Sequence, residues 1–174
     1  MISIVELSHK ILDEFKEPNI AIDMTCGNGH DTLFLAKKAK KVYAFDIQNE
    51  AISNTLKLLE ENKINNVSVL KESHDLFDIF VSEKFDLAIY NLGYLPSGNH
   101  DIKTNARIVI NSLEKAIEMM NSKGIIVIVI YLHDLYESNA ITDFVSNLHE
   151  NFDVMKYQIL NKEQSPYIIK ISKR

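Results

Sequence analysis

Tryptophan is missing, cysteine occurs once (Cys26), and only three prolines and five glycines interrupt 174 residues. A single cysteine excludes an internal disulfide and fits a reducing, cytoplasmic setting. No Cys/His group has metal-ligand spacing, so no metal is expected. Arginine is scarce too: Arg107 and Arg174 are the whole supply, in a chain of net charge −5. That balance excludes the broadly basic surface of a typical nucleic-acid binder, although local patches can still meet phosphates. Long apolar runs are also absent. The longest, Ile125 to Leu132, is too short to span a bilayer. Ser3, Glu6, Ser8, His9 and Lys10 break up any secretory apolar core. A soluble protein with no membrane partner is expected.

What is present suffices for a core. At 46% hydrophobic residues the chain reads as globular, and its length predicts a single domain over residues 1–174. Lysines gather at Lys37, Lys38, Lys40 and Lys41, and again at Lys170 and Lys173 beside Arg174. They read as a solvated helix end and a charged tail. Four of the five glycines fall in two short stretches, and those stretches carry the functional reading.

In the first, Ile20 to Asp23 reads as a buried strand, Thr25 to Gly29 as a turn, and a helix begins near His30. Gly27 and Gly29 flank one residue, so the backbone can pass through positive φ and come close to a ligand. The helix behind them points its unpaired N–H groups into the same space. Seventeen positions after Gly29 the apolar run Val42-Tyr43-Ala44-Phe45 ends in Asp46. A carboxylate there can take both hydroxyls of an adenosine ribose. Thr32 stands where a nicotinamide fingerprint has Gly or Ala, and no Tyr-x-x-x-Lys pair exists. S-adenosyl-L-methionine is therefore favoured over NAD.

The expected cofactor site runs across Asp23, Thr25, Gly27, Asn28 and Gly29, with the ribose on Asp46. The adenine is expected near Ile47, Gln48 and the Ser73-His74 pair. His30, Asp31 and Thr32 open the helix beside the site. Asp31 either complements the helix dipole or touches the cofactor. His30 and His74 are either structural or ligand groups, His74 being favoured as a cofactor contact over a general base. Cys26 reads as a packing residue.

Around this stretch the pattern alternates. Ser3 to Glu6 is a capping box, and Ile4, Leu7, Ile11 and Phe15 follow at helical spacing until Pro18. Lys41 to Asp46, Val67 to Leu70 and Phe85 to Tyr90 read as the next strands. Gln48 to Asn62 reads as a helix with Ile52, Leu56 and Leu59 inward. Thr104 to Asn121 is an amphipathic helix, Gly124 to Tyr131 a fifth strand and Ser138 to Leu148 a last helix. Phe152 to Ile159 and Tyr167 to Ile171 have no helix between them, so they pair antiparallel. The expected fold is α/β, of the class I methyltransferase, Rossmann-like outline. It has a seven-stranded, mostly parallel sheet with an antiparallel C-terminal hairpin and helices on both faces.

The second stretch, Asn91 to His100, leaves the carboxyl end of the fourth strand, where open α/β sheets place ligands. Its two glycines, one proline and one aromatic mark an ordered loop. Asn91 either closes the strand as a turn residue or orients a nucleophile and borders the cofactor. Tyr94 either packs on Pro96 or stacks on a base. His100 and Asp101 are the proton-acceptor candidates.

The residues Asp23-x-Thr25-x-Gly27-Asn28-Gly29-His30-Asp31-Thr32-x-Phe34-Leu35, then Ser73-His74, then Asn91-Leu92-Gly93-Tyr94-Leu95-Pro96 carry a resemblance. Nearly end to end, the chain resembles the family of small single-domain methylases labelled rRNA methylases. The resemblance implies an S-adenosyl-L-methionine-dependent methyltransferase that N-methylates the 5-aminomethyl group of wobble 2-thiouridine in tRNA. It implies the anticodon loop as partner, with a homodimer allowed. The Asn91 side-chain oxygen and the Leu92 carbonyl would then accept from the acceptor amine, as the analogous Asn-Pro-Pro-Tyr segment does in amino-methylating enzymes, with Tyr94 stacked on the base. A methyltransferase of rRNA or of a small molecule stays open, as does a non-catalytic cofactor-binding domain, because loops and not the sheet select substrate. Two departures bear on the substrate side. Tyr131-Leu132-His133-Asp134 replaces a Tyr-x-Gly-His turn, and Arg107 sits where small hydroxyl residues are common.

Overall fold

Alternation of β-branched segments with amphipathic ones builds a seven-stranded sheet in the computed structural model, which describes residues 2–93, 105–132 and 134–174. The first half comprises α1 (Ile4–Leu12), β1 (Ile20–Asp23), α2 (His30–Ala36), β2 (Lys41–Phe45), α3 (Asn49–Glu61) and β3 (Val67–Leu70). A 3-10 turn (His74–Leu76) runs into α4 (Phe77–Phe80), then β4 (Phe85–Leu92). The rest is α5 (Ala106–Met119), β5 (Met120–Ile130), α6 (Leu135–Ser146), β6 (Phe152–Gln158) and β7 (Tyr167–Lys173).

In space the strands run β3-β2-β1-β4-β5-β7-β6. The first five are parallel, and β7 pairs antiparallel with both β5 and β6. The expected fold class is therefore present. The chain starts at the centre of the sheet, builds outward to β3, then returns to lay β4 on the other side of β1. The order reverses between β1 and β4, which opens a crevice at their carboxyl ends.

Both faces of the sheet are covered. Ile22, Tyr90, Ile126 and Ile128 pack with Val109 and Leu113 of α5 and with Ile141 and Val145 of α6. Ala21, Leu87, Ile89, Val127 and Val129 point the other way, onto Ile11 and Leu12 of α1 and Leu35 and Ala36 of α2. Burial on both sides explains why β4 and β5 read as continuous apolar runs and not as alternating ones.

Several boundaries and one buried face differ from the sequence expectation: β5 already begins at Met120, ahead of Gly124, and α6 spans Leu135–Ser146. The α1 helix stops at Leu12, short of Phe15, with Asp13 as its cap. The β4 strand continues through Asn91 and Leu92, because Val129 and Ile130 of β5 extend the ladder to meet them. Asn91 is thus held in a strand. The buried stripe of α3 is Ala51, Thr55 and Leu59, while Leu56 is exposed. Small residues are needed on that stripe because the glycine turn lies against it.

The opposite, amino edge of the sheet is pinned by Asp86, which is 4% exposed. One carboxylate oxygen accepts from the Asn19 N–H (2.7 Å) and the Ile20 N–H (3.3 Å), the other from Asn121 Nδ2 (2.7 Å). Removing it leaves the buried Ile20 N–H without a partner at the start of β1 and takes the carboxylate from the part-buried Asn19 N–H and Asn121 amide. Asp86→Ala is expected to lower stability by about 3 kcal/mol without weakening cofactor affinity, because the site lies at the other end of the strands. Urea unfolding beside calorimetric titration checks this; an unchanged unfolding midpoint would contradict it.

Candidate active site

The glycine turn is shaped from beneath by Asp23, the last residue of β1, which has no solvent exposure. Its carboxyl group accepts from the Thr25 N–H (3.1 Å) and from the Thr32 hydroxyl (2.6 Å). These bonds join strand, turn and α2. Burial, and then the nearby charge of Asp31, push this carboxyl far above the usual carboxylate range. In the turn, Gly27 and Gly29 take φ of 50° and 83°. A β-carbon at Gly29 would sit 2.9 Å from Thr55 Cα, so only glycine fits there. The Thr55 hydroxyl donates to the Gly27 carbonyl (3.1 Å), and Asn54 Nδ2 donates to Asn28 Oδ1 (2.9 Å). Cys26 is buried in the turn, and burial first holds its thiol well above the ordinary range. It is a packing residue, unsuited to nucleophilic attack.

Asp46 stands just past β2 with one oxygen on the Gly27 N–H (3.1 Å) and the other on the Gln48 N–H (3.0 Å). Each carboxylate oxygen keeps capacity for a further donor. Ile47 beside it is 50% exposed, an apolar surface at the mouth of the turn.

Across the crevice, β4 is tied to the same turn. The Asn91 N–H donates to Thr25 Oγ1 (2.7 Å), and Asn91 Nδ2 donates to Asp31 Oδ2 (3.0 Å). The other Asp31 oxygen accepts from His9 Nε2 (2.6 Å), and the His9 ring stacks on Phe34 with 4.0 Å between centroids. The Gly93 N–H donates back to the Asn91 carbonyl (2.9 Å), turning the chain at the strand end. A β-carbon at Gly93 would meet the ring of Tyr131 at 3.4 Å, so Tyr131 lines the crevice from the end of β5. Burial, with the Asp31 charge second, holds its hydroxyl above the ordinary range.

His74 follows β3 and is buried. Its ring meets Tyr90 edge-on at 5.6 Å, and its carbonyl accepts from the Ser112 hydroxyl (3.0 Å). That hydroxyl in turn accepts from Tyr90 (2.8 Å), since its one proton is already used. His74 Nδ1 is buried with no hydrogen-bond partner among the described residues. Burial lowers the His74 pKa to about 4, against a small opposing effect of Asp75. The ring is neutral at neutral pH.

The hydrogen bonds thus gather Asp23, Thr25, Gly27, Asn28, Asp31, Thr32, Asp46, Gln48 and Asn91 around one crevice, with Gly29 in the same turn. Ser73 leads into the His74 turn, and His30 is exposed at the start of α2. Tyr94, His100, Asp101 and His133 lie outside the described residues. Three contributors were not read from sequence: His9, Asn54 and Thr55, while Tyr131 was read only as part of a substrate-side turn. The small-residue spacing of Ala51 and Thr55 was a usable signal for the third. His9 had none, because its partner is 22 positions away.

A parallel sheet that reverses at a glycine turn, with an acid ending the neighbouring strand and an antiparallel β7, defines a class I methyltransferase. The family described as "Putative rRNA methylase" matches residues 42–173, and the chain belongs to that family. It is an S-adenosyl-L-methionine-dependent RNA methyltransferase. It is similar to the chloroplastic tRNA (mnm(5)s(2)U34)-methyltransferase of Arabidopsis thaliana, with 29% identity over 97% of this chain and 69% of that protein. A solved structure described as a "putative methyltransferase" from Streptococcus mutans, in complex with SAH, matches with a TM-score of 0.94 and 38% identity. That match covers 100% of this chain and 99% of the other. A "putative rRNA-methylase" from Clostridium thermocellum matches with a TM-score of 0.96 and 32% identity over 100% and 99%.

The neutral, buried His74 makes a pH prediction. Its folded pKa of about 4 lies below the ordinary value of 6.5, so the unfolded chain binds the extra proton between those values. The His74 contribution is fully present above about pH 6.5 and is lost as pH falls toward about 4. Its size is at most about 3 kcal/mol. His74→Gln should remove this component, so wild type and variant should converge in stability on acidification. Parallel unfolding curves across that window would contradict it.

Proposed function

We propose that the chain N-methylates the 5-aminomethyl group of a wobble 2-thiouridine in tRNA, approached through the anticodon loop. The observation that carries this reading is the fixed carboxamide of Asn91, held at the carboxyl end of β4 beside the glycine turn. The activity named for the Arabidopsis relative supports the choice of nucleoside.

The residues present fit the cofactor. Asp46 offers two oxygens to a ribose diol, and the unpaired His74 Nδ1 lies past the end of β3, where an adenine edge would be met. When bound, S-adenosyl-L-methionine supplies a methyl group on a sulfonium leaving group. The protein must then present a neutral amine in line. Asn91 Oδ1 accepts from one amine N–H and so orients the nitrogen lone pair. Tyr94 stacks on the base. His100 and Asp101 are the candidates to take the proton released by the methylated nitrogen.

The RNA meets the carboxyl edge of the sheet. Arg107, exposed in the first turn of α5, is on the polypeptide that follows the Asn91 stretch. Lys41 starts β2 at the opposite edge, and Lys38 is engaged with Asp13 there. Charge reversal of Lys37, Lys40 and Lys41 should therefore leave turnover nearly unchanged, and a large loss would place the RNA elsewhere.

Asp46→Ala should weaken cofactor binding by roughly 1.5–3 kcal/mol, the range for hydrogen bonds to a charged group. Asn91→Ala should lower single-turnover methylation by about 10²-fold with little change in cofactor affinity. The deciding test incubates the enzyme with labelled cofactor and tRNA carrying 5-aminomethyl-2-thiouridine, followed by nucleoside analysis. Methyl on the alkylamine nitrogen is expected. Methyl on a ring nitrogen or a ribose, or on a small molecule without RNA, would overturn the reading.

A further inference from the structure

The N-terminal helix α1 reaches the crevice at one point. His9 projects from it to Asp31, and the ring is held flat on Phe34 with an interplanar angle of 7°. Phe34 lies three positions after Asp31 on α2, so a single helix both stacks the imidazole and accepts its hydrogen bond. Asp31 is 6% exposed. Its carboxylate is acceptor-only, and its two oxygens take one donor each, from His9 Nε2 and from Asn91 Nδ2.

That arrangement makes the Asn91 carboxamide single-valued. The Asn91 N–H on Thr25 Oγ1 and the β4–β5 ladder fix the backbone, and for a side chain that reaches Asp31 the remaining choice is which way its terminal amide faces. A flipped amide would set Oδ1 against an Asp31 oxygen, two acceptors with no proton between them. The NH2 group therefore stays on Asp31, and Oδ1 faces away from it. The orientation holds only while Asp31 itself is held. Without His9, the carboxylate keeps one partner and can rotate about its own bonds.

We infer that His9 is a positioning residue for methyl transfer: through Asp31 it fixes the Asn91 carboxamide with Oδ1 turned to the acceptor. This rests on the alkylamine reading above, and it makes α1 part of the catalytic apparatus. Two groups facing His9 are defined among the described residues. Asp31 accepts from it, Phe34 covers one side of its ring, and its side chain is 22% exposed.

Two substitutions separate orientation from packing. His9→Phe keeps a ring for Phe34 to stack on and removes the donor. His9→Gln removes the ring and keeps an Nε2 donor at about the same reach. If His9 positions Asn91, His9→Phe lowers the single-turnover rate about 10-fold, with the apparent Michaelis constant for tRNA and the cofactor affinity unchanged, and His9→Gln recovers most of the rate. If His9 only packs, the order inverts: His9→Phe is as fast as wild type and His9→Gln is impaired. That result would overturn the inference.

A second measurement needs no turnover. In the free protein the two Asn91 carboxamide protons should give separate, exchange-protected signals in nitrogen-15 spectra, and His9→Phe should remove the protection while His9→Gln keeps it. Wild-type enzyme that fails on the alkylamine while these signals respond would defeat the proposed reaction and leave the positioning role standing. Signals indifferent to His9→Phe would defeat the positioning role, whatever the substrate.

Discussion

A carboxyl group sealed from solvent at the end of the central strand sets the geometry of this site. Asp23 holds the Thr25 N–H and the Thr32 hydroxyl together, and with them the turn that must pass between β1 and α2. A buried carboxyl is expensive unless its oxygens are engaged, and here both are. The turn can then afford two left-handed glycines, one of them pressed against Thr55 of α3. Those constraints place the Gly27 N–H on Asp46 and the Thr25 hydroxyl under the Asn91 N–H. The tips of β2, β1 and β4 are thereby locked to one another.

A second acid works on the first. Asp31 stands close enough to Asp23 to raise its pKa, yet it is engaged by His9 and Asn91. The crevice has a hydrogen-bond chain from His9 through Asp31 to Asn91 on its β4 side and, on its β2 side, the Asp46 carboxylate, whose oxygens keep acceptor capacity. This division matches what a class I methyltransferase requires: one flank that recognises a nucleoside and one that presents a nucleophile. The sheet supplies the separation through the reversal of strand order, and the side chains supply the chemistry.

Much of this was legible in the sequence, because the informative contacts are local or follow from strand alternation. Gly27, Gly29 and Asp46 announce themselves by spacing, and the antiparallel end follows from the lack of a helix between residues 158 and 167. The inward face of α3 was misread. Leu56 has the stronger apolar signal, but Thr55 is the residue that fits beneath a glycine turn, and hydrophobic periodicity has no means of registering a steric demand made by another element. Asn91 was found by its place at a strand end, but its partners were not, since Thr25 and Asp31 are 66 and 60 residues distant. His9 belongs to the same class of long-range pairing. Its neighbours in sequence describe an ordinary amphipathic helix.

The central claim is spatial: the crevice between β1 and β4 binds the cofactor with its ribose on Asp46 and its reactive methyl toward Asn91. A crystal structure of the protein with S-adenosyl-L-methionine measures this most directly. The account predicts both ribose hydroxyls within hydrogen-bonding distance of the Asp46 carboxylate, an adenine edge at His74 Nδ1, and the sulfonium methyl facing the Asn91 carboxamide oxygen. A cofactor whose ribose avoids Asp46, or whose methyl points away from the end of β4, would contradict it.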